Sequence, residues 1–111
     1  MDFQLTPEQI ALRDTARKFA REVMAPVAAQ YDRTGDFPRD VIARGFELGL
    51  LNMTLPQELG GLGLSHVDQA LVAEELAAGC AGIATSMIAN DLALLPILIG
   101  YTGGKMLYDV R

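Results

Sequence analysis

The sequence contains no tryptophan, one cysteine and one histidine in 111 residues. A lone Cys80 excludes an internal disulfide and fits a reducing compartment, and with only His66 beside it no cysteine/histidine zinc site can form. Aromatic residues make up only 6% while half the residues are hydrophobic, so the core must be aliphatic, a composition that favours helices. Positive charge is scarce too. Nine Lys and Arg face fourteen Asp and Glu, and the net charge of −5 argues against a broad footprint for nucleic acid or anionic membrane. The start, Met1-Asp2-Phe3-Gln4, has neither the basic lead of a signal peptide nor the arginines of a transit peptide. The most apolar run, Leu92 to Ile99, is eight residues long and follows Asn90 and Asp91, well short of the ~20 residues that span a bilayer.

What is present reads as helices around one core, and a chain of this length should bury roughly 65% of its unfolded surface. Thr6-Pro7-Glu8-Gln9 is a helix start, with Thr6 as N-cap, Pro7 in the first helical position and Gln9 closing a capping box. Leu12, Ala16, Phe19, Ala20, Val23 and Val27 then form an apolar stripe, and Pro26 predicts a kink near Glu22. The first helix is expected over 7–31 and a second over 38–48, ending at Gly49 with Leu50 and Leu51 folding back. Residues 52–64, with three glycines and one proline, hold tight turns. Ser65 and Asp68 form another capping box, opening a third helix over 65–78 that Gly79 stops. The fourth, over 81–99, is apolar nearly all round, and three partly amphipathic neighbours cannot cover it. One of its faces is therefore expected to stay open, as a site for self-association or for further domains.

Few of the polar and glycine-rich motifs carry chemistry. Gly60-Gly61-Leu62-Gly63 follows no strand and lacks the dinucleotide-binding spacing, so its glycines serve positive φ and close approach. Gly103-Gly104-Lys105 lacks the remainder of a phosphate loop. Glu74 and Glu75 point ~100° apart on a helix and cannot work as a paired acid and base, which leaves a solvated or ion-paired face. His66 has no nucleophile near it in sequence and reads as a surface residue. Arg13, Arg17 and Arg21 form a possible anion ridge, but Asp14 to Lys18 and Lys18 to Glu22 read as ordinary surface pairs. Asn90 and Asp91 interrupt the apolar helix; they must bond to loops of the same domain or face another one.

Three segments carry a family resemblance: Ala16-Arg17-Lys18-Phe19-Ala20-Arg21-Glu22, the stretch from Phe46 to Leu64 leading into Ser65-His66-Val67-Asp68, and Ala73-Glu74-Glu75-Leu76-Ala77-Ala78-Gly79-Cys80. Together they resemble the all-α, four-helix amino-terminal domain of the acyl-CoA dehydrogenases, most closely the medium- and short-chain branches. The likeness runs in order from Leu5 to about Gly100, which makes 1–100 the domain and 101–111 a divergent tail. It implies a complete enzyme that desaturates an acyl-CoA thioester at the α,β position, passes a hydride to FAD and delivers electrons to an electron-transferring flavoprotein. The flavin contacts, most CoA contacts and the glutamate base belong to later domains, so no catalytic, cofactor-binding or metal residue is expected in this chain. By position, Ala84, Thr85, Ile88, Ala89 and Leu92 would form one wall of the acyl pocket. Some relatives carry polar residues at the positions of Ala84 and Ile88, so chain-length preference does not transfer.

Taken together, the sequence points to part of a flavin-dependent dehydrogenase, inactive alone, in a bacterial cytoplasm or the mitochondrial matrix. Two alternatives stand beside it: a free-standing helical interaction module, and the small subunit of a split dehydrogenase.

Overall fold

The computed structural model describes residues 2–100. Expectations for the tail at 101–111 lie outside the described residues. Among the latter there are helices and turns but no strand: α1 (Pro7–Phe19), a π-helical turn (Ala20–Met24), α2 (Ala25–Thr34), α3 (Arg39–Glu47), a 3-10 turn (Gln57–Leu59), α4 (His66–Gly79) and α5 (Ala81–Gly100). Since α1, the π turn and α2 follow one another without a break, these elements make the four helical rods that the sequence pattern predicts.

The first rod carries a π turn in its middle, around Glu22. Pro26 has no N–H to offer the Glu22 carbonyl, which should kink the helix. There the ladder widens: the Ala25 amide donates to the Ala20 carbonyl, five residues back, and Pro26 becomes an early residue of the resumed helix α2. A π turn thus absorbs the missing donor. The rod also runs to Thr34, beyond residue 31, and ends at Gly35 with φ 72° and a 2.9 Å bond from its amide to the Tyr31 carbonyl.

Other ends follow the chemistry of their residues. Both capping boxes form, Thr6 with Gln9 and Ser65 with Asp68. Helix α3 closes in a Schellman motif: Gly49 (φ 74°) donates to the Phe46 carbonyl and Leu50 donates to that of Gly45. Leu50 is thereby folded into the core. Gly79 behaves differently from a left-handed cap. It is the last residue of α4 and is absent from the positive-φ glycines, and the chain turns instead at the extended Cys80. Its role is steric, because a Cβ there would lie 2.8 Å from both the Cβ and the carbonyl oxygen of Ala20.

The contacts define the topology. Gln9 meets Asp68, Arg17 meets Glu75 and Ala20 meets Gly79, so α1 and α4 run parallel. Helix α5 reverses after Cys80 and lies antiparallel on α4, with Gln69 reaching Asp91. The core between them holds Ala16, Phe19, Met24, Val72, Leu76 and Met87, each nearly inaccessible. Helix α3 closes one side, Gly45 lying against Met87, Leu51 and Phe19. Length and composition alone would let the 20-residue α5 cross a membrane, which the eight-residue apolar run did not suggest. Its inner residues Ile83, Ala84, Met87 and Asp91 are instead buried against the other helices.

Gly79→Ala should destabilise the chain by about 1–3 kcal/mol, because the new methyl meets backbone that cannot retreat. Gly82→Ala, where nothing lies within 4 Å, should be neutral or stabilise by up to about 1 kcal/mol. Urea unfolding of the two variants side by side checks the contrast.

Candidate functional site

Helix α5 has two unlike faces. Ile83, Ala84 and Met87 are at most 3% exposed, whereas Leu92 is 70% and Ile99 73% exposed. The open residues Thr85, Ala89, Leu92, Pro96 and Ile99 recur at alternating steps of four and three, which puts them on one stripe of a 3.6-residue helix. Of the five residues expected to line a pocket, Thr85, Ala89 and Leu92 share this stripe and Ile88 sits half-buried at its edge. Ala84 is separated from them: it belongs to the core and backs the stripe from inside.

The stripe offers little reactive chemistry. The Thr85 hydroxyl donates to the Ala81 carbonyl at 2.8 Å, so its proton is already committed to the helix. Pro96 removes one helical donor and leaves the Leu92 carbonyl without its usual i+4 partner. What remains is an apolar strip with a single loosened acceptor, suited to contact rather than proton transfer.

Behind it lies a polar node. Asn90 donates to the Asn52 side chain, and Gln69 Nε2 donates to Asp91 Oδ2 at 2.6 Å. Asn90 and Asp91 therefore both bond within their own domain. Asn52 holds φ at 55°, a left-handed conformation that asparagine tolerates better than most residues. Burial raises the Asp91 carboxyl above the usual range, opposed by the Gln69 hydrogen bond and by the facing amides of Met53 and Asn52. Two other carboxyls move down. The Gln9 amide and the Ser65 cap hold Asp68 low, and the two-pronged bond from Arg17, at 3.0 and 2.7 Å, holds Glu75 low.

The remaining expectations sort clearly. Among the described residues the ion pairs are Arg13–Asp14 and Arg17–Glu75, not Asp14–Lys18 or Lys18–Glu22. The neighbouring helix supplies a better-placed carboxylate than the next turn, so the arginine ridge is partly consumed in packing. Gly60 and Gly63 do take positive φ; Gly61 is needed because a Cβ would strike the Leu55 backbone at 2.0 Å. His66 is exposed, and no group of three His, Cys, Asp or Glu that could hold a metal occurs among the described residues. An open groove of about 580 Å³ lies between α2 and the start of α5, edged by Tyr31, Asp32, Asp36, Cys80 and Ser86. Neither this groove nor the Gln69–Asp91 bond is visible in sequence, since both join residues far apart in the chain. Pro96 was a readable signal for the loosened carbonyl.

Comparison with known proteins gives a consistent picture. The family model described as acyl-CoA dehydrogenase, N-terminal domain, matches residues 6–102. The chain is 34% identical, over 89% of its length, to a probable medium-chain specific acyl-CoA dehydrogenase 2, mitochondrial, of Caenorhabditis briggsae, covering 24% of that protein. It is 42% identical, over 78% of its length, to the mitochondrial short-chain specific acyl-CoA dehydrogenase of Rattus norvegicus, covering 21% of it. A 3-sulfinopropanoyl-CoA desulfinase of Paraburkholderia xenovorans is 38% identical over 89% of the chain and is covered to 26%. A solved chain from the electron transferring flavoprotein of Acidaminococcus fermentans superposes with a TM-score of 0.72 at 32% identity, over 78% of this chain and 23% of that one. The chain thus spans about a quarter of the length of the relatives it matches.

The carboxyl shifts have opposite signs in pH. Asp91, raised in the fold, retains its proton where the unfolded chain has lost it, so its contribution favours folding as pH falls from neutral through its raised value. Asp68 and Glu75, lowered in the fold, stabilise above the ordinary carboxylate value and lose that effect as pH falls through their folded values. Relative to Asp91→Asn, the unsubstituted chain should therefore gain stability between pH 7 and about pH 4.5, and both should weaken at lower pH. Urea midpoints across this range measure it; a constant difference between the two proteins would contradict the assignment.

Proposed function

The chain belongs to the acyl-CoA dehydrogenase family as its amino-terminal domain, and we propose that it serves a complete FAD-dependent enzyme as one wall of the acyl pocket. The observation that carries this reading is the open apolar stripe on α5, in a domain that accounts for about a quarter of its relatives. Leu92 and Ile99 are too exposed to serve the core of this domain. A fatty acyl tail and the polypeptide that encloses it are the kind of surface that would cover such a strip.

In this reading Thr85, Ile88, Ala89 and Leu92 contact the acyl chain, with Ala84 behind them as a small spacer. Their task is to exclude water and to hold the thioester's tail, leaving proton and hydride transfer to groups elsewhere in the enzyme. FAD, held by residues outside this chain, would supply the hydride-accepting chemistry, and an electron-transferring flavoprotein would take up the electrons. The mitochondrial and bacterial relatives support a mitochondrial matrix or bacterial cytoplasmic setting. The chain alone is silent, because the stripe bears no acid, base or nucleophile.

Two measurements test the proposal. The purified chain should retain no yellow flavin and should not reduce a dye when given acyl-CoA; turnover by the isolated chain refutes it. In the complete enzyme, Ala89→Leu should lower kcat/KM for the longest acyl-CoA accepted by about 10- to 200-fold while leaving the shortest nearly unaffected, the range that added methylenes command in an apolar pocket. An equal loss for all chain lengths would place Ala89 outside the pocket. A discrete, tight dimer of the isolated chain in light scattering would favour the rival reading of an interaction module.

A further inference from the structure

Asp91 is 9% exposed and carries one oxygen, Oδ1, that is inaccessible and has no hydrogen-bond partner in the protein. Its other oxygen is taken by Gln69. The amides of Asn52 and Met53 face the carboxylate without forming a bond of good geometry to Oδ1. A buried carboxylate oxygen left unpaired costs several kilocalories per mole, so natural folds seldom leave one so.

Asp91 also borders a small cavity between α5 and the loop, walled by Thr54, Leu55, Leu94, Leu95 and Leu98. Asp91 is the only charged residue in that wall. The cavity has a volume of about 10 Å³, close to what one water molecule needs. A second polar partner is within the same wall. The loop's cross-bonds run from Leu62, Gly63 and Leu64 to the carbonyls of Asn52, Leu55 and Met53, and Thr54 takes part in none of them. Its hydroxyl and peptide groups remain able to bind a guest.

We propose that this cavity is a site for a single internal water molecule, bridging Asp91 Oδ1 to Thr54 and so joining α5 to the glycine-rich loop. Because Oδ1 is inaccessible at the surface, a small internal guest suits it better than a group from another polypeptide. The water lets a charged residue sit inside an apolar helix and spares Asn52, already bonded to Asn90, from having to reorient. It requires no reading of the enzyme's function and stands apart from the acyl-pocket proposal.

Water-selective NMR on the 111-residue chain near pH 7 should show a long-lived water in contact with the Thr54 or Leu55 amide. A crystal structure should place it within about 3.2 Å of Oδ1. Asp91→Leu, which fills the space with an apolar group, should abolish the water contact while circular dichroism still reports a helical fold. The proposal fails if other internal waters are resolved and this cavity is dry, if Oδ1 pairs directly with a protein group, or if the water signal survives in folded Asp91→Leu. Should Asp91→Leu not fold, the two measurements on the unsubstituted chain decide the matter.

Discussion

The close contact between Gly79 and Ala20 is the constraint on which the remaining packing depends. Two parallel helices bring their positive ends together, an arrangement their dipoles oppose. Here the opposition is met at the start of the pair, where the Asp68 carboxylate closes the capping box of α4 and accepts a 2.9 Å bond from Gln9, which closes that of α1. Midway, Arg17 grips Glu75. At the far end no polar link is available, and the helices instead approach until only a hydrogen fits between the Gly79 Cα and the π turn at Ala20. The interlocked caps and the glycine set both ends of one register.

That register decides where α5 goes. Cys80 is the only residue between α4 and α5, and its extended backbone sends the chain straight back along α4. With α4 held and the linker so short, α5 can choose only its rotation. Asp91 makes that choice: its bond to Gln69, together with the bond from Asn90 to Asn52, turns these two polar residues toward the domain and the Leu92–Ile99 side away from it. The apolar face is outward because Asp91 is held inward.

Sharing this domain does not mean sharing a reaction. Two dehydrogenases and a desulfinase match the chain at comparable identity. Their names have acyl-CoA or a CoA thioester in common, not the bond that breaks. The open stripe of α5, apolar and without an acid or a base, is compatible with that range. The π turn admits Pro26 into the first rod while Ala20 within it stays in close contact with Gly79 of α4.

Local chemistry made much of the fold readable. Thr6, Gln9, Ser65 and Asp68 announced two helix starts, and Gly49 announced a Schellman end, because capping depends on residues within one turn of each other. The apolar character of residues 81–99 likewise indicated a helix with too little partner surface. Less could be read where two solutions are locally equal. Pro26 marked the place of an irregularity but not its π-helical form, and Gly79 could be a left-handed cap or a contact point; the nearness of Ala20 settled the second. Arg17 could pair along its own helix or across to α4, and Glu75 won by offering both oxygens at once.

By itself, then, the sequence determined the number of helices, most of their ends and the surplus of apolar surface, all of which follow from spacing along the chain. Tertiary structure alone decided that α1 and α4 run parallel, that Ala84 faces inward while Thr85, Ala89 and Leu92 face out, and that Asp91 meets Gln69. A helix greasy on every side has no preferred rotation of its own. Only the polar partners of its neighbours can supply one.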